Sequence, residues 1–233
     1  MCRYFFYIAI IFLLNSTAIF AQENRNSFSL FGSYTLSSKL YPRYGESDPE
    51  RRNQFFTISD IFGIGADIRR EFHDLGLQVG ISIEYIETQR NFKYESISPP
   101  ILTSDGYRVI PIEITGYFFI PISLRNWKFS LGTGFGLYWG NREYSVASVE
   151  PKHIKREIGA GIHVVSGIEY LFSEKFGLRA EVKFREIQFL STERFGEKEF
   201  VYNENLLAIT QGNIKSRILI DGMIFSAGIV YHP

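Results

Sequence analysis

The sequence predicts an all-β fold: an eight-stranded antiparallel up-and-down transmembrane β-barrel, preceded by a cleaved signal peptide. Three observations predict it. Segments of alternating apolar and polar residues recur eight times, and in a strand such alternation puts the two kinds of side chain on opposite faces. Short and long connections between them alternate strictly, as in outer-membrane barrels. On the apolar faces, charged residues avoid a common central band, which a soluble protein has no reason to do.

The first residues are predicted to form a secretory signal peptide. A positive region ending at Arg3 precedes an apolar run, Tyr4–Leu14, and the small residues of Ala18–Ala21 offer a cleavage site. The apolar run is short for a transmembrane anchor, and no stop-transfer cluster of charges follows it. We therefore predict a signal peptide at residues 1–21 and one outer-membrane β-barrel domain at residues 22–233.

Composition excludes several classes of partner and of stabilisation. Cleavage after Ala21 removes Arg3 from the 25 basic residues and none of the 25 acidic ones, which leaves a net charge of −1. A nucleic-acid partner requires a basic face, so none is expected. The lone cysteine, Cys2, lies in the signal peptide, so the exported domain must be stable without disulfides.

The first four segments each separate apolar side chains from small or polar ones. They are 27–37 with Phe28, Leu30, Tyr34 and Leu36 on the apolar face, 55–72 with Phe56, Ile58, Phe62, Ile64 and Ile68, 77–87 with Leu77, Val79, Ile81, Ile83 and Tyr85, and 107–120 with Ile110, Ile112, Ile114 and Phe118.

The last four segments repeat the pattern. They are 127–139 with Trp127, Phe129, Leu131, Phe135, Leu137 and Trp139 on the apolar face, 154–172 with Ile158, Ala160, Ile162, Val164 and Ile168, the segment containing 179–186 with Ala180, Val182 and Phe184, and 217–231 with Met223, Phe225, Ala227, Ile229 and Tyr231. Opposite the fifth apolar face lie Gly132, Gly134 and Gly136, which we expect to leave room for the long Arg and Lys side chains of the interior.

The connections give the barrel two unlike ends. The short turns are 73–76, 121–126 and 173–175, and the long links are about 38–54, 88–106, 140–153 and 190–216. In an up-and-down meander, all long links then share one end, and the short turns and both termini share the other.

The charged faces are predicted to point into the barrel. The segment RAEVKFRE, residues 179–186, puts a charge at every second position. Five acids and five bases occupy such faces within the central band, and near-balance is what a closed, ion-paired interior needs. The predicted barrel-interior charge network consists of Asp67, Arg69, Glu84, Glu113, Lys128, Glu169, Arg179, Glu181, Lys183 and Arg185.

Aromatic residues bracket the apolar band, as expected at the two lipid–water interfaces. One group lies at the short-turn ends, and a second group, Tyr34, Phe56, Tyr85, Trp139 and Phe184, lies at the expected upper boundary. The predicted lipid-facing aromatic girdle comprises Phe28, Phe72, Phe118, Trp127, Phe129, Trp139, Phe172, Phe176 and Tyr231.

Two adjacent segments carry a family resemblance. IPIEITGYFFIP (110–121), followed by FSLGTGFGLYWG (129–140), resembles the outer-membrane β-barrel domain family of OmpX-like and PorT-like small barrels. The resemblance implies insertion into a Gram-negative outer membrane by the barrel-assembly machinery, and it implies no catalytic residues. Family members end in a terminal aromatic residue, whereas here Tyr231 is followed by His232 and Pro233.

No motif in the sequence predicts catalytic, cofactor-binding or metal-ligating residues. GTGFG (132–136) lacks the helix and the Lys-Ser/Thr of a phosphate loop. His163 near Glu113 or Glu169 is expected to be a buried interior histidine rather than a base. A lipid-modifying site built on His153 with Ser145 or Ser148 has no nucleophile motif to support it.

The sequence therefore favours a non-enzymatic barrel of the cell outer membrane with a closed polar core, acting in envelope integrity, surface binding or scaffolding of a secretion or uptake system. Expected partners are outer-membrane lipid and lipopolysaccharide, the barrel-assembly machinery, and a surface or secretion-system protein. The alternatives are a passage barrel for small solutes, a lipid A-modifying enzyme, and a soluble secreted barrel of the lipocalin type, whose interior would be apolar.

Overall fold

A computed structural model describes residues 26–72, 75–94, 101–121, 126–147, 149–196, 199–202, 205–208 and 212–233. The predicted signal peptide lies outside the described residues. The strands are β1 (Asn26–Tyr41), β2 (Phe56–Phe72), β3 (Leu77–Tyr94), β4 (Ile101–Ile120), β5 (Trp127–Val146), β6 (Lys152–Arg156), β7 (Ile158–Leu171), β8 (Phe176–Arg194), β9 (Glu199–Tyr202), β10 (Asn205–Ala208) and β11 (Ile214–Tyr231). A short helix, α1 (Pro49–Arg52), lies between β1 and β2.

The strands close into a ring. Antiparallel pairing runs β1-β2-β3-β4-β5-β7-β8-β11, and β11 pairs with β1 as well as with β8. The short β6 also pairs with β8 and is separated from β7 only by Glu157, so the two form one staggered strand of the wall. The predicted eight-stranded antiparallel barrel is confirmed. In the described part of the chain, no helix is long and apolar enough to span a membrane.

The wall extends further at the long-loop end than the sequence predicted. The link expected at 88–106 is mostly strand, because β3 continues to Tyr94, β4 begins at Ile101, and the two are paired throughout that extension. Backbone pairing needs no apolar face, so these extensions carry polar residues outside. Arg108 Nη2 donates to Glu87 Oε1 at 3.1 Å, and its Nη1 lies 3.7 Å from Glu143 Oε1.

One predicted face was wrong. Ile58 and Phe56 were assigned to the outer face of β2, but Ile58 is buried inside the barrel and Phe56 packs against the interior cluster. Ser59 and Asp60 are both exposed, and Asp60 has a positive φ of 58°. Two consecutive residues therefore face outward, and the alternation of β2 is inverted beyond that point.

The outer wall between the two ends is apolar. Leu30 of β1, Ile64 of β2 and Ile162 of β7 are 71%, 68% and 69% exposed, whereas charged side chains of the same strands face inward. A soluble barrel of the lipocalin type has the reverse arrangement, so that alternative is excluded. Such an exposed belt is what a barrel presents to hydrocarbon.

The belt leads to a stability prediction. Leu131 is 51% exposed on the outer face of β5, four residues above Trp127. Leu131→Arg is expected to lower the free energy of unfolding in lipid vesicles by about 2–4 kcal/mol, the cost of Arg near a bilayer midplane. Ser145→Arg, higher on the same strand, is expected to change it by about 0.5 kcal/mol or less. Urea titration followed by tryptophan fluorescence measures both, and equal small effects would contradict a lipid-facing belt.

Candidate functional site

The lower half of the interior, towards the short turns, is an ion-pair network. Arg179 of β8 contacts Asp67 of β2 at 3.2 Å and Glu169 of β7 at 2.8 Å. Arg69 of β2 contacts Asp67 and Glu181 of β8, both at 2.8 Å. All five side chains are buried. The network thus joins strands that are not neighbours in the ring.

A second tier of the network lies above the first. Arg185 Nη2 is 2.7 Å from Glu84 Oε2, and its Nε is 2.9 Å from Glu113 Oε1. Lys183 Nζ donates to the other oxygen of Glu113 at 2.6 Å. The charged face of β8 therefore reaches across the barrel to β2, β3 and β4. The space left beside Arg185, Glu84 and Glu181 is only about 10 Å³, room for about one water molecule.

The remaining members of the predicted set lie at the short-turn rim. Lys128 Nζ donates to Glu71 at 3.2 Å and is partly exposed. His232, which the sequence analysis left without a role, has its Nε2 2.9 Å from Glu169 Oε1. All ten predicted residues thus lie on the inner face, and the chain adds His232 and Glu71 to them.

The interior glycines make room for rings rather than for long cations. A Cβ on Gly134 would collide with the imidazole of His163, and one on Gly136 with the Tyr138 hydroxyl. Tyr138 Oη donates to Glu113 Oε1 at 2.5 Å, and Thr115 Oγ1 lies 2.8 Å from His163 Nε2. The prediction that these glycines make room for Arg and Lys was therefore wrong, because aromatic side chains occupy the space.

An apolar plug caps the network. Above the second tier, buried apolar side chains from most strands fill the barrel, and Tyr107 meets Phe189 edge to face at 6.2 Å between ring centroids. The plug consists of Leu40, Ile58, Ile61, Ile86, Tyr107, Val109, Tyr138, Ile187, Phe189, Ile218 and Ile220. A polar interior throughout was expected from the sequence, but the plug divides the interior into a polar lower half and a polar cluster at the long-loop end.

A second polar cluster lies above the plug, at the long-loop end. Arg142 donates from Nε and Nη2 to the two oxygens of Asp105 at 2.7 and 2.5 Å, and from Nη1 to Ser216 Oγ at 2.9 Å. Its guanidinium stacks on Tyr144 at 4.2 Å. Asp105, Arg142 and Ser216 are buried. A bidentate pair of this kind fixes the geometry of three strands at once.

Glu193 is the unusual member of this upper cluster. It is fully buried, accepts a hydrogen bond from Ser191 at 2.9 Å, and lies 3.6 Å from His153 Nδ1. Its upper position, beyond the outward-facing Glu87 and Arg108, is outside the membrane-spanning part of the wall. Burial raises the pKa of Glu193 to about 7, against the opposing effect of nearby Arg142. Burial also lowers the pKa of His153, so that histidine is neutral at pH 7.

The histidines have no catalytic geometry among the described residues. His163 is sealed between the network and the plug, 3.8 Å from Glu113. His153 Nε2 faces the amide of Asn141 at 3.4 Å instead of a hydroxyl. Ser148, one of the serines considered with His153, lies outside the described residues. In the described part of the chain, no group of three or more His, Cys, Asp or Glu side chains could hold a metal ion.

The predicted girdle residues lie on the outer wall. Trp127 and Tyr170 are in ring contact at 4.7 Å near the short-turn end, and Phe176 meets Tyr231 at 5.3 Å. Trp139 lies higher on β5 and is 57% exposed. The set with exposed or half-buried rings is Phe28, Phe72, Phe118, Trp127, Phe129, Trp139, Phe172, Phe176 and Tyr231.

Comparison with solved structures finds small outer-membrane barrels. The outer membrane protein OprG from Pseudomonas aeruginosa superposes with a TM-score of 0.58 at 12% identity, covering 90% of this chain and 95% of that one. Neisserial surface protein A gives 0.47 at 12% identity, covering 90% of this chain and 99% of that one. Ail of Yersinia pestis gives 0.43 at 10% identity, covering 90% and 100%. No family model and no curated protein sequence matches the chain.

At such low identity the likeness to OprG speaks for the fold alone, and the other two superpositions are too distant to support an argument. The outer wall itself indicates that the barrel is surrounded by lipid. An apolar belt around a charged interior is stable in hydrocarbon and not in water. The chain is an eight-stranded outer-membrane β-barrel.

Proposed function

We propose that this chain is a non-enzymatic outer-membrane barrel, closed along its axis, that acts through its long-loop end in envelope integrity, surface binding or scaffolding of a secretion or uptake system. The observation that carries the proposal is the interior seal. It has two layers of opposite chemistry, the ion-pair network and the apolar plug.

The two layers exclude different solutes. An ion that enters from the long-loop end meets the plug, where it would lose its water without gaining a partner. An apolar molecule meets the network, where it would separate buried ion pairs and leave unpaired charges. Passage of either kind requires both layers to rearrange. This supports the closed barrel over the small-solute alternative.

The long-loop end is held rigid enough to present a preformed surface. Arg217 of β11 is stacked between Tyr41 at 4.0 Å and Tyr44 at 4.7 Å, and Arg142 stacks on Tyr144. Binding residues are disproportionately found on loops that a rigid scaffold positions. A closed wall with ordered aromatic and arginine side chains at its outer end suits attachment of a surface or secretion-system partner.

The enzymatic alternative has less support. A lipid-modifying enzyme needs a nucleophile within hydrogen-bond reach of its base, and His153 has Asn141 there instead. Mass spectrometry of lipid A from cells with and without the gene separates the two readings, because loss of a modification would favour the enzyme.

Planar-bilayer recording tests the proposed closure. The wild-type barrel is expected to give no stable channels. Phe189→Ala, which opens the plug, is expected to stay closed because the network below remains intact, although it should cost about 3–5 kcal/mol of stability. Large, steady conductance by the wild type would overturn the proposal, and conductance by Phe189→Ala alone would show that the network is no seal.

The network predicts a strong coupling between Arg185 and Glu84. Arg185→Met leaves Glu84 and part of Glu113 without their cation, and is expected to lower the free energy of unfolding by about 3–5 kcal/mol. Adding Glu84→Gln removes one uncompensated charge, so the double variant is expected to be more stable than Arg185→Met alone. Urea unfolding in vesicles measures both, and additive losses would contradict the pairing.

Glu193 predicts a pH dependence at the long-loop end. Its carboxyl has a pKa near 7 when folded and an ordinary lower pKa when unfolded. The folded state therefore holds the proton more tightly, so the contribution of Glu193 to stability is greatest at acidic pH and falls as the pH rises to about 7, by at most about 3 kcal/mol. Hydrogen exchange of the upper amides of β8 and β11, corrected for intrinsic rates, should slow on going from pH 8 to pH 5.5.

Glu193→Gln is the matched variant for that experiment, because a neutral amide mimics the protonated acid. Its exchange should be nearly the same at the two pH values. Asp105, Arg142, Glu143, His153 and Ser191 face the same carboxyl. A dependence that persists unchanged in Glu193→Gln would assign the effect to one of those neighbours.

A further inference from the structure

A pocket opens on the outside of the wall, above the apolar belt. It has a volume of about 510 Å³ and lies between the β1–β2 loop and the upper ends of β6, β8 and β11. The loop folds outward over β11 to form one side of it. Gly45 approaches so closely that a Cβ there would lie 2.9 Å from Cβ of Lys215.

The pocket has an excess of positive charge. Arg52, Lys155 and Lys215 line it together with two acids, Glu46 and Glu157. Both acids are already engaged: Glu157 accepts from Lys155 at 2.6 Å, and Glu46 lies 3.9 Å from Arg51. Within the described residues, Arg52 and Lys215 have no acidic partner within ion-pair distance. Two of the three lining cations thus have no acidic partner in the described part of the chain.

The strand beside the pocket adds to the excess. β6 has the sequence KHIKR, with three basic residues among five, and its residues are exposed. Lys155 belongs to the pocket lining, and Lys152 and Arg156 add positive charge beside it. On the opposite side of the barrel, the outward charges of Glu87, Arg108 and Glu143 are paired with one another.

The pocket is also apolar on its lower side. Leu190 is half-buried and lies two residues below the level of Lys155 and Lys215, whereas Ile154, 49% exposed in the pocket lining, lies level with those cations. Ile158, which follows the lining residue Glu157, is exposed at the top of the lipid-facing face of β7. Leu190 and Ile158 thus lie below the two lysines and continue into the belt. This arrangement matches a molecule that carries a phosphate above an acyl chain rather than a soluble anion.

We propose that this pocket binds the phosphorylated headgroup of an outer-leaflet glycolipid of the lipid A type, with the phosphate against Arg52 and Lys215 and an acyl chain against Leu190 and Ile158. The proposal rests on the proposed outer-membrane function and supplies a site for the lipid partner. Arginine and lysine are the side chains that phosphate recognition uses.

Native mass spectrometry of the detergent-purified full chain tests the site. The probes are bisphosphorylated lipid A, the same lipid without phosphates, and inorganic phosphate. Arg52→Gln/Lys215→Gln is expected to weaken binding of phosphorylated lipid A about tenfold or more, since it removes both cations placed against the phosphate. Arg52→Lys/Lys215→Arg, which keeps both charges, is expected to bind within a few-fold of the wild type.

A charge-matched control removes two cations elsewhere. Arg90→Gln/Lys175→Gln alters one exposed site on β3 and one in the turn before β8, and is expected to bind lipid A as the wild type does. The proposal fails if this control loses as much affinity as the pocket variant. It also fails if dephosphorylated lipid binds equally well, or if inorganic phosphate binds as tightly as the lipid.

The outcome is separable from that of the proposed function. The unboiled mobility shift on SDS gels and the absence of conductance report the closed barrel, and neither depends on Arg52 or Lys215. If those two results hold while lipid A binding is unchanged in the pocket variant, the lipid site alone is rejected. If the pocket variant lost its mobility shift, the single variant Lys215→Gln would replace it. Its affinity for phosphorylated lipid A is expected to fall about threefold or more. Unchanged affinity would count against the site.

Discussion

The need to pair every charge inside a hydrocarbon-surrounded wall governs this structure. A buried carboxylate without a cation costs several kcal/mol, and the bilayer offers no water to relieve it. Strand β8 meets that need, because its charged face reaches Asp67 on β2, Glu84 on β3 and Glu113 on β4. Strand β8 lies across the ring from β3 and is linked to the opposite wall by these ion pairs. Interior contacts therefore stabilise the ring in addition to its backbone pairing.

The plug and the network divide the interior by chemistry and by role. The network tolerates no shift in register, since moving β8 by one residue would exchange its charged and apolar faces. The plug is held mainly by packing, with Tyr138 also hydrogen-bonded to Glu113, so most of it can adjust its packing at smaller cost. The strictest constraint on strand register therefore lies in the network, at the level of the bilayer.

The belt and the network could be predicted because period-two alternation states directly which residues share a face. The inversion in β2 could not, since nothing in SDIFG marks Asp60 as the residue with a positive φ. The plug did leave a signal. The charged face of β8 continues as Ile187 and Phe189, and the same interior face of β11 carries Ile218 and Ile220. The predicted link began at residue 190 and the predicted eighth segment at residue 217, so these positions lay at strand ends outside the predicted charge network, and the change from charged to apolar side chains there was not interpreted.

The seam between the first and last strands has a topological consequence. Phe28 and Tyr231 are register partners, so the two ends of the barrel chain lie side by side at the short-turn end. A linker of a few residues can join these two ends. New termini can then be placed within any long loop without breaking a backbone hydrogen bond between strands. Circular permutation would change which strand comes first in the chain, but not which strands are neighbours in the ring. Circularly permuted chains should therefore assemble the same wall.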